Sequence, residues 1–436
     1  MGTLLFAAFF AAAAQAAPDA TVVRVDSTTV YLDLAGAAAS AGEPFEVLSP
    51  GADLKNPVTG ADLGPILTKT GAGTLTDVEP KYAVGRLSEG TAEPGWRARL
   101  SPAAPAAAAG PAPSAPSAAG AAEPAEKSPL LPLTALDLAV ADVDGDGAPE
   151  AVLADADHVE VRRMTGDWPV VCSFAAKPIG ARFLSVEARD LDGDGRAEVF
   201  ASLYDRPAKE VETLVLDCRG GRLVQRAALP YLVRAFSEAS GARSLAAQSL
   251  EPDSSFPASR IRRLVWKDGG YRLAKESLKA RRLEWLYGFA LASAQGRPLL
   301  LQVNDSERLT VRFPKGAWTT PEAYGYPVSR LTWHGSTFEF HPRLLTRVKD
   351  GSLEGVVTVR NVPSLLGLAA PFGLYGRSEL HVLAFDGMSL KSAWSAPLPG
   401  MAADVDAVPA SGGRPERLAV AVAGAGGRTS VWLFDR

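Results

Sequence analysis

Two cysteines and four histidines in 436 residues leave this chain little with which to build soft-metal or imidazole chemistry. No zinc-finger spacing, phosphate-binding P-loop or dinucleotide-binding glycine fingerprint occurs. A Gly-x-Ser-x-Gly elbow and a His-Glu-x-x-His helix are missing too. His158, His334, His341 and His381 show no ligand spacing, and they supply no evident catalytic dyad. Net charge is -4, which removes any general attraction to nucleic acid. The N-terminal apolar run, Leu4 through Ala14, falls well short of the ~20 residues that span a bilayer. These absences predict neither a nucleic-acid binder nor an enzyme, and no transmembrane segment in the mature chain.

That run has instead the length of a secretory h-region. Ala14-Gln15-Ala16 fits a small-x-small cleavage site, so residues 1–16 are predicted to be a signal peptide. Its n-region has no Lys or Arg; only the α-amino group is positive. No cysteine follows the run, which argues against lipid attachment. The expected setting is export, to the periplasm or to an extracellular or outer-membrane-associated position. Export makes Cys172 and Cys218 candidates for one disulfide. Bridging needs Cα atoms within ~7 Å, which sequence does not decide.

What the chain does have is acidic loops. Asp142-Val-Asp144-Gly-Asp146-Gly-Ala-Pro-Glu150 and Asp190-Leu-Asp192-Gly-Asp194-Gly-Arg-Ala-Glu198 each place carboxylates at positions 1, 3, 5 and 9. Four carboxylates at one point repel unless a cation sits among them, and flexible all-oxygen geometry suits calcium. An EF-hand would carry a bidentate Glu at position 12, where Leu153 and Ala201 stand instead. The flanks read as strands, so two strand-loop-strand Ca2+ sites are predicted. Their ligands would be Asp142, Asp144, Asp146, the Ala148 carbonyl and Glu150, then Asp190, Asp192, Asp194, the Arg196 carbonyl and Glu198. Asp404-Val-Asp406, with Glu416 downstream, and Asp350-Gly351-Ser-Leu-Glu354 are eroded versions, expected to be turns without metal.

Composition divides the chain. Residues 18–100 alternate strand-like runs with Gly, Pro and Asn turns and predict a small all-β barrel or sandwich. Residues 101–128 are mostly Ala, Pro, Gly and Ser, a semi-extended spacer. Residues 129–436 repeat a strand–Gly turn–strand hairpin, at Val159–Phe174, Thr213–Leu223, Arg263–Ala274, Leu309–Thr319 and Leu380–Trp394. A sixth copy starts at Thr429–Phe434 without its outer strand, which Leu130–Leu133 is expected to supply by closing a ring. The fold class is therefore all-β, a β-propeller of six blades, about 51 residues each, behind a small β domain. The overlong gap from Gly316 to Gly387 leaves room for a seventh blade, or for insertions around 321–335 and 363–377.

With Asp-x-Asp-Gly-Asp-Gly-x-x-Glu between strands, the repeats resemble the FG-GAP/VCBS family, related to the calcium-binding propeller of integrin α subunits. The match is close at Asp142–Glu150 and Asp190–Glu198 and loose elsewhere across 129–436. The resemblance implies a calcium-stabilised propeller used mostly for binding and adhesion, occasionally as a lyase. In the first domain, Val30–Leu34, Gly42–Val47 and Asn56–Gly64 resemble the C-terminal domain of the bacterial flagellar assembly protein T, a small β domain of exported envelope proteins.

The basic run of Arg260, Arg262, Arg263, Lys267, Arg272, Lys275, Lys279, Arg281 and Arg282 is expected to be a solvated outer hairpin rather than a polyanion site. Trp168, Trp266, Trp318, Trp333 and Trp394 stand beside turn glycines, as hairpin packing requires. The functional expectation is an exported calcium-binding propeller that binds a protein or glycan of the cell envelope. The alternative is a carbohydrate-active propeller such as a polysaccharide lyase, favoured if His, Tyr, Arg and acids converge in the central funnel. A bare structural spacer is a third reading.

Overall fold

The computed structural model describes residues 19–26, 29–34, 39, 43–55, 62–79, 82–100, 122–175, 180–206, 208–250, 259–363, 375–424 and 426–435. The predicted signal peptide and most of the Pro/Ala spacer lie outside the described residues. The chain divides into two compact units, Met1–Ser114 and Ala115–Arg436. Every regular element among the described residues is a strand.

In the first unit, β1 (Asp19–Asp26), β2 (Thr29–Asp33), β3 (Pro44–Lys55), β4 (Asp62–Val78), β5 (Tyr82–Gly90) and β6 (Arg97–Leu100) close into a barrel of order β1-β2-β5-β4-β3-β6. Its core follows from alternation: Val30 and Leu32 of β2 are buried while their neighbours are not. Phe45 fills the centre. A Cβ at Gly73 or Gly85 would lie 2.7 Å or 2.4 Å from its ring, so both strands need glycine there.

The second unit begins with β7 (Glu126–Lys127) and then runs through four-stranded antiparallel meanders. The first is β8 (Asp137–Ala141), β9 (Glu150–Ala154), β10 (His158–Arg163) and β11 (Val170–Ala175). The second is β12 (Ala181–Arg189), β13 (Glu198–Asp205), β14 (Glu210–Arg219) and β15 (Arg222–Leu229). One parallel pair, Ser173 with Arg222, joins these two into an eight-stranded sheet. The third is β16 (Leu232–Ser237), β17 (Arg243–Gln248), β18 (Arg262–Lys267) and β19 (Gly270–Ser277). The fourth is β20 (Phe289–Ala294), β21 (Arg297–Val303), β22 (Arg308–Arg312) and β23 (Ala317–Ala323). A lone hairpin follows, β24 (Ser329–Trp333) and β25 (Ser336–Phe340). The next meander is β26 (Leu345–Lys349), β27 (Ser352–Pro363), β28 (Tyr375–Phe385) and β29 (Leu390–Leu398). The last sheet is β30 (Met401–Val408), β31 (Arg417–Gly424) and β32 (Arg428–Asp435), completed by β7.

This is a β-propeller-like arrangement. Inner strands such as β13 and β16 are buried on both faces because each sheet packs against the next. Outer strands such as β15 expose most of their residues. The apolar clusters accordingly lie between sheets: Val152 and Val161 pack with Val199 and Ala201, and Val357 and Leu380 with Val405 and Val420. Each of the five hairpins expected from sequence is the third and fourth strand of a meander.

Two expectations need correction. The strand that completes the last sheet is Glu126–Lys127, paired with Trp432 and Leu433, and not Leu130–Leu133. Only Leu131 joins in, through one bridge to Thr429. Backbone bonds from Ala122 to Ser395 and from Ala125 to Leu433 show the sheet reaching into the stretch expected to be spacer. The alanine-rich composition masked a segment whose backbone groups pair.

The second concerns Asp404 and Asp406. They sit within β30, each 1% exposed, and not in an eroded turn. Such burial is costly for an acid without partners, which is why sequence pointed to a loop. The partners come from distant strands.

Candidate metal centre and axial charge network

The two acidic loops adopt one hydrogen-bonded form. Asp142 accepts N–H bonds from Gly145 (2.7 Å) and Gly147 (2.9 Å), and Asp190 from Gly193 (2.7 Å) and Gly195 (3.0 Å). Asp144 accepts from the Asp146 N–H, and Asp192 from that of Asp194, each at 3.1 Å. The Ala148 and Arg196 N–H groups donate to Asp146 and Asp194. Glu150 and Glu198, first residues of β9 and β13, turn back to accept from Val143 and Leu191. Each loop thus joins the first and second strands of its meander. The glycines permit it: Gly145 has φ +79°, and a Cβ there would meet the Arg196 side chain at 2.8 Å.

The loops also touch each other. The Ala197 N–H donates to the Asp142 carbonyl at 2.7 Å, and Val143 packs in the same apolar cluster as Ala197.

One ligand oxygen from each of Asp142, Asp144 and Asp146 lies within 4.8 Å of the others, and the same holds for Asp190, Asp192 and Asp194. Glu150 is fully buried, and its Oε1 has no hydrogen-bond partner. Burial pushes its carboxyl up to about 7 against the Val143 N–H, and the nearby Asp144 and Asp146 charges push the same way. An all-oxygen donor set with an orphaned carboxylate oxygen fits a hard cation. In the second loop the equivalent oxygen is served: Tyr271 Oη donates to Glu198 at 2.8 Å, and Arg226 reaches Asp192 at 2.7 Å. Burial raises Glu198 as well, opposed by the bonds from Leu191 and Tyr271. Arg163 does comparable work in the first loop, 2.7 Å from Asp144 and 3.1 Å from Asp146. Arg163, Arg226 and Tyr271 lie on neighbouring strands and escaped sequence reasoning, since nothing local marks them.

Along the axis a second constellation converges. Asp137 of β8, Glu187 of β12, Arg234 of β16, Arg343 before β26 and Asp404 of β30 meet, with side chains only 1–5% exposed. Arg234 donates to Asp137 (2.9 Å), Glu187 (3.1 Å) and Asp404 (2.6 Å). Arg343 pairs with Glu187 and Asp404, each at 2.8 Å. Burial pushes Asp137 up to about 8 against both arginines. Burial also acts upward on Asp404, but Arg343 and Arg234 outweigh it and hold it low. The legible signal was a lone charge inside an apolar strand, as in Tyr231-Leu-Val-Arg234-Ala-Phe236.

Tyr287 stacks near Arg234 and bonds Ser185 at 2.8 Å. It packs in one apolar cluster with the β24–β25 residues Leu331, Trp333, Phe338 and Phe340. In a third acidic group, Glu307, Glu339 and His341, Arg330 holds Glu339 at 2.7 Å and His341 Nδ1 lies 2.7 Å from the Gly325 carbonyl, while Glu307 Oε2 is buried without a hydrogen-bond partner. Cys172 and Cys218 form a disulfide with Cα atoms 5.9 Å apart, tying β11 to β14. Arg263 of the basic run pairs with Glu238, and Trp168 is buried against the turn of its own hairpin.

The profile of the FG-GAP-like repeat family matches residues 142–201, from the first acidic loop into the strand after the second. No curated protein matches the chain. Among solved structures, a protein from Thermus thermophilus, provisionally named an oxidoreductase (glucose dehydrogenase), is 13% identical with a TM-score of 0.42; the alignment covers 71% of this chain and 99% of that one. BBS1N, solved in complex with ARL6DN, is 7% identical with a TM-score of 0.39, covering 72% and 97%. Sequence and topology thus show one stretch similar to FG-GAP-like repeats within a β-propeller-like arrangement.

Proposed function

We propose that this chain is an exported, calcium-stabilised β-propeller of six blades that binds a protein or glycan of the bacterial cell envelope. The six four-stranded meanders are the blades, and β24–β25 is an insertion rather than a seventh. The reading is carried by the pair of oxygen-lined loops, one of which leaves Glu150 Oε1 buried without a partner. Asp142, Asp144, Asp146 and Glu150 would hold one ion, and Asp190, Asp192, Asp194 and Glu198 the other, with the Ala148 and Arg196 carbonyls as main-chain ligands. The cation would neutralise the cluster and staple neighbouring strands, a structural role. Supporting export are the N-terminal apolar run, the Cys172–Cys218 bridge and the likeness of the first domain to the envelope protein named above.

The lyase alternative draws on the axial convergence of Tyr287, Arg234, Arg343 and three acids. Their near-complete burial and mutual pairing favour a structural role there. Thermal melts with calcium and with chelator test the metal reading. Calcium should raise the melting temperature of the wild type, and Asp144→Ala with Asp192→Ala should remove most of that rise. An identical melt under both conditions would end it. Capture of envelope glycans or proteins on the immobilised chain tests the binding role.

A further inference from the structure

The two acidic loops repeat one another, so their surroundings compare position by position. In each of the first two meanders the outer strand carries a bulge. Val171 is the extra residue of β11, between Cys172 paired with Val161 and Val170 paired with Arg162. Arg226 is the extra residue of β15, between Ala227 paired with Val215 and Gln225 paired with Leu216. A bulge re-aims a side chain away from the alternation of its strand. At one and the same place the first loop has a valine and the second a guanidinium. A further difference comes from the meander that follows each loop. The second residue of its outer strand is Leu223, paired with Cys218, after the first loop and Tyr271, paired with Trp266, after the second.

These two exchanges account for the orphaned oxygen. Glu150 Oε1 has no donor among the described residues. Glu198 Oε1 accepts from Tyr271 Oη at 2.8 Å and lies 3.4 Å from Arg226 Nη1. The same nitrogen is 2.7 Å from Asp192 Oδ2, so it stands between the third and ninth positions of the loop. The guanidinium lies 4.8 Å from the Trp266 ring centre and 5.6 Å from that of Tyr271, contacts that hold it there. Asp217, 3.8 Å away, has its own partner in Arg219 at 2.7 Å. In the first loop Arg163 bridges only Asp144 and Asp146, and its side chain is 42% exposed against 28% for Arg226.

We propose that the two loops are unequal calcium sites, the first tight and the second weakened by Arg226, which serves as a built-in counter-cation. An ion entering the second loop must displace a guanidinium already bonded to Asp192 and clamped on two rings. One entering the first meets a buried carboxylate oxygen that no donor has claimed. The inference rests on the calcium reading and goes beyond it by ranking the sites and naming the residue that sets the rank.

Calorimetric titration of the chelator-treated full chain with calcium chloride tests it. Two classes of site should appear, at least about tenfold apart. Asp144→Ala should remove the tight class and Asp192→Ala the weak one. Arg226→Gln should tighten the weak class by about tenfold or more, the scale of one charge-assisted bond. Tyr271→Phe, which frees Glu198 Oε1, should shift it the same way. Melting temperatures separate this role from mere packing. In chelator Arg226→Gln should melt below the wild type, because the second loop has lost its counter-charge, and calcium should restore it. Equal sites in the wild type, unchanged affinity in Arg226→Gln, or an equal melting loss with and without calcium would overturn the ranking alone. No calcium binding at all would remove the metal reading and the ranking with it.

Discussion

At the scale of the residue, Asp137 sets a sign that can be measured. Its carboxyl titrates near 8 in the fold because burial disfavours its charge, against an ordinary value of 3.8. The native state therefore holds a proton that the unfolded chain releases. That contribution is fully present below about pH 4 and is lost as pH rises toward about 8. Protonated Asp137 leaves two guanidiniums facing two carboxylates. Asp137→Asn keeps a neutral side chain able to donate toward Asp404, so its unfolding free energy should fall less steeply over that range. Denaturant midpoints at several pH values, taken in calcium, check this. A slope equal to the wild type would remove Asp137 from the account. Removing Arg234 or Arg343 instead should be severe, about 3–5 kcal/mol, because it leaves a buried acid uncompensated.

The elements make a different prediction. The two acidic loops are joined by the Ala197–Asp142 backbone bond and by Arg196 lying over Gly145. Groups in one hydrogen-bonded network do not contribute independently. Asp144→Ala and Asp192→Ala should therefore be non-additive in calcium, with an interaction energy above about 0.5 kcal/mol in a double-mutant cycle. Strictly additive losses would mean that the loops act alone. The hairpin β24–β25 belongs to the same scale. The Trp285 Nε1 donates to the Glu339 carbonyl at 2.6 Å, and its ring packs on Tyr287, Phe338 and Phe340. Those contacts explain why a segment without a full sheet is held in place.

For the second unit as a whole, the question is what keeps successive sheets together. The apolar clusters between them are the main term, since each buries several branched side chains from two neighbours. The pairing of β7 with β32 ties the beginning of the unit to its last sheet. Between the first two meanders the backbone supplies one parallel pair and the bonds from Ala197 to Asp142 and from Phe183 to Ala156, and Cys172–Cys218 supplies a covalent tie. Replacing both cysteines by serine should cost roughly 2–4 kcal/mol, read from denaturant unfolding under oxidising conditions. A double variant as stable as the wild type would show the bridge to be idle.

Much of this was legible locally. The Asp-x-Asp-Gly-Asp-Gly pattern, the turn glycines and the five hairpins are short-range features, and backbone geometry fixes them within about a dozen residues. The sequence by itself thus determined an all-β repeat protein with two oxygen-rich loops between strands. Cysteine pairing, the Glu126–Lys127 strand and the buried places of Asp404 and Asp406 were decided elsewhere. Arg234 meets Asp404 across 170 positions, and Arg343 meets Asp137 across 206. No periodicity along one strand records a partner contributed by another. Only the meeting of inner strands at one axis lets those charges stand in the interior.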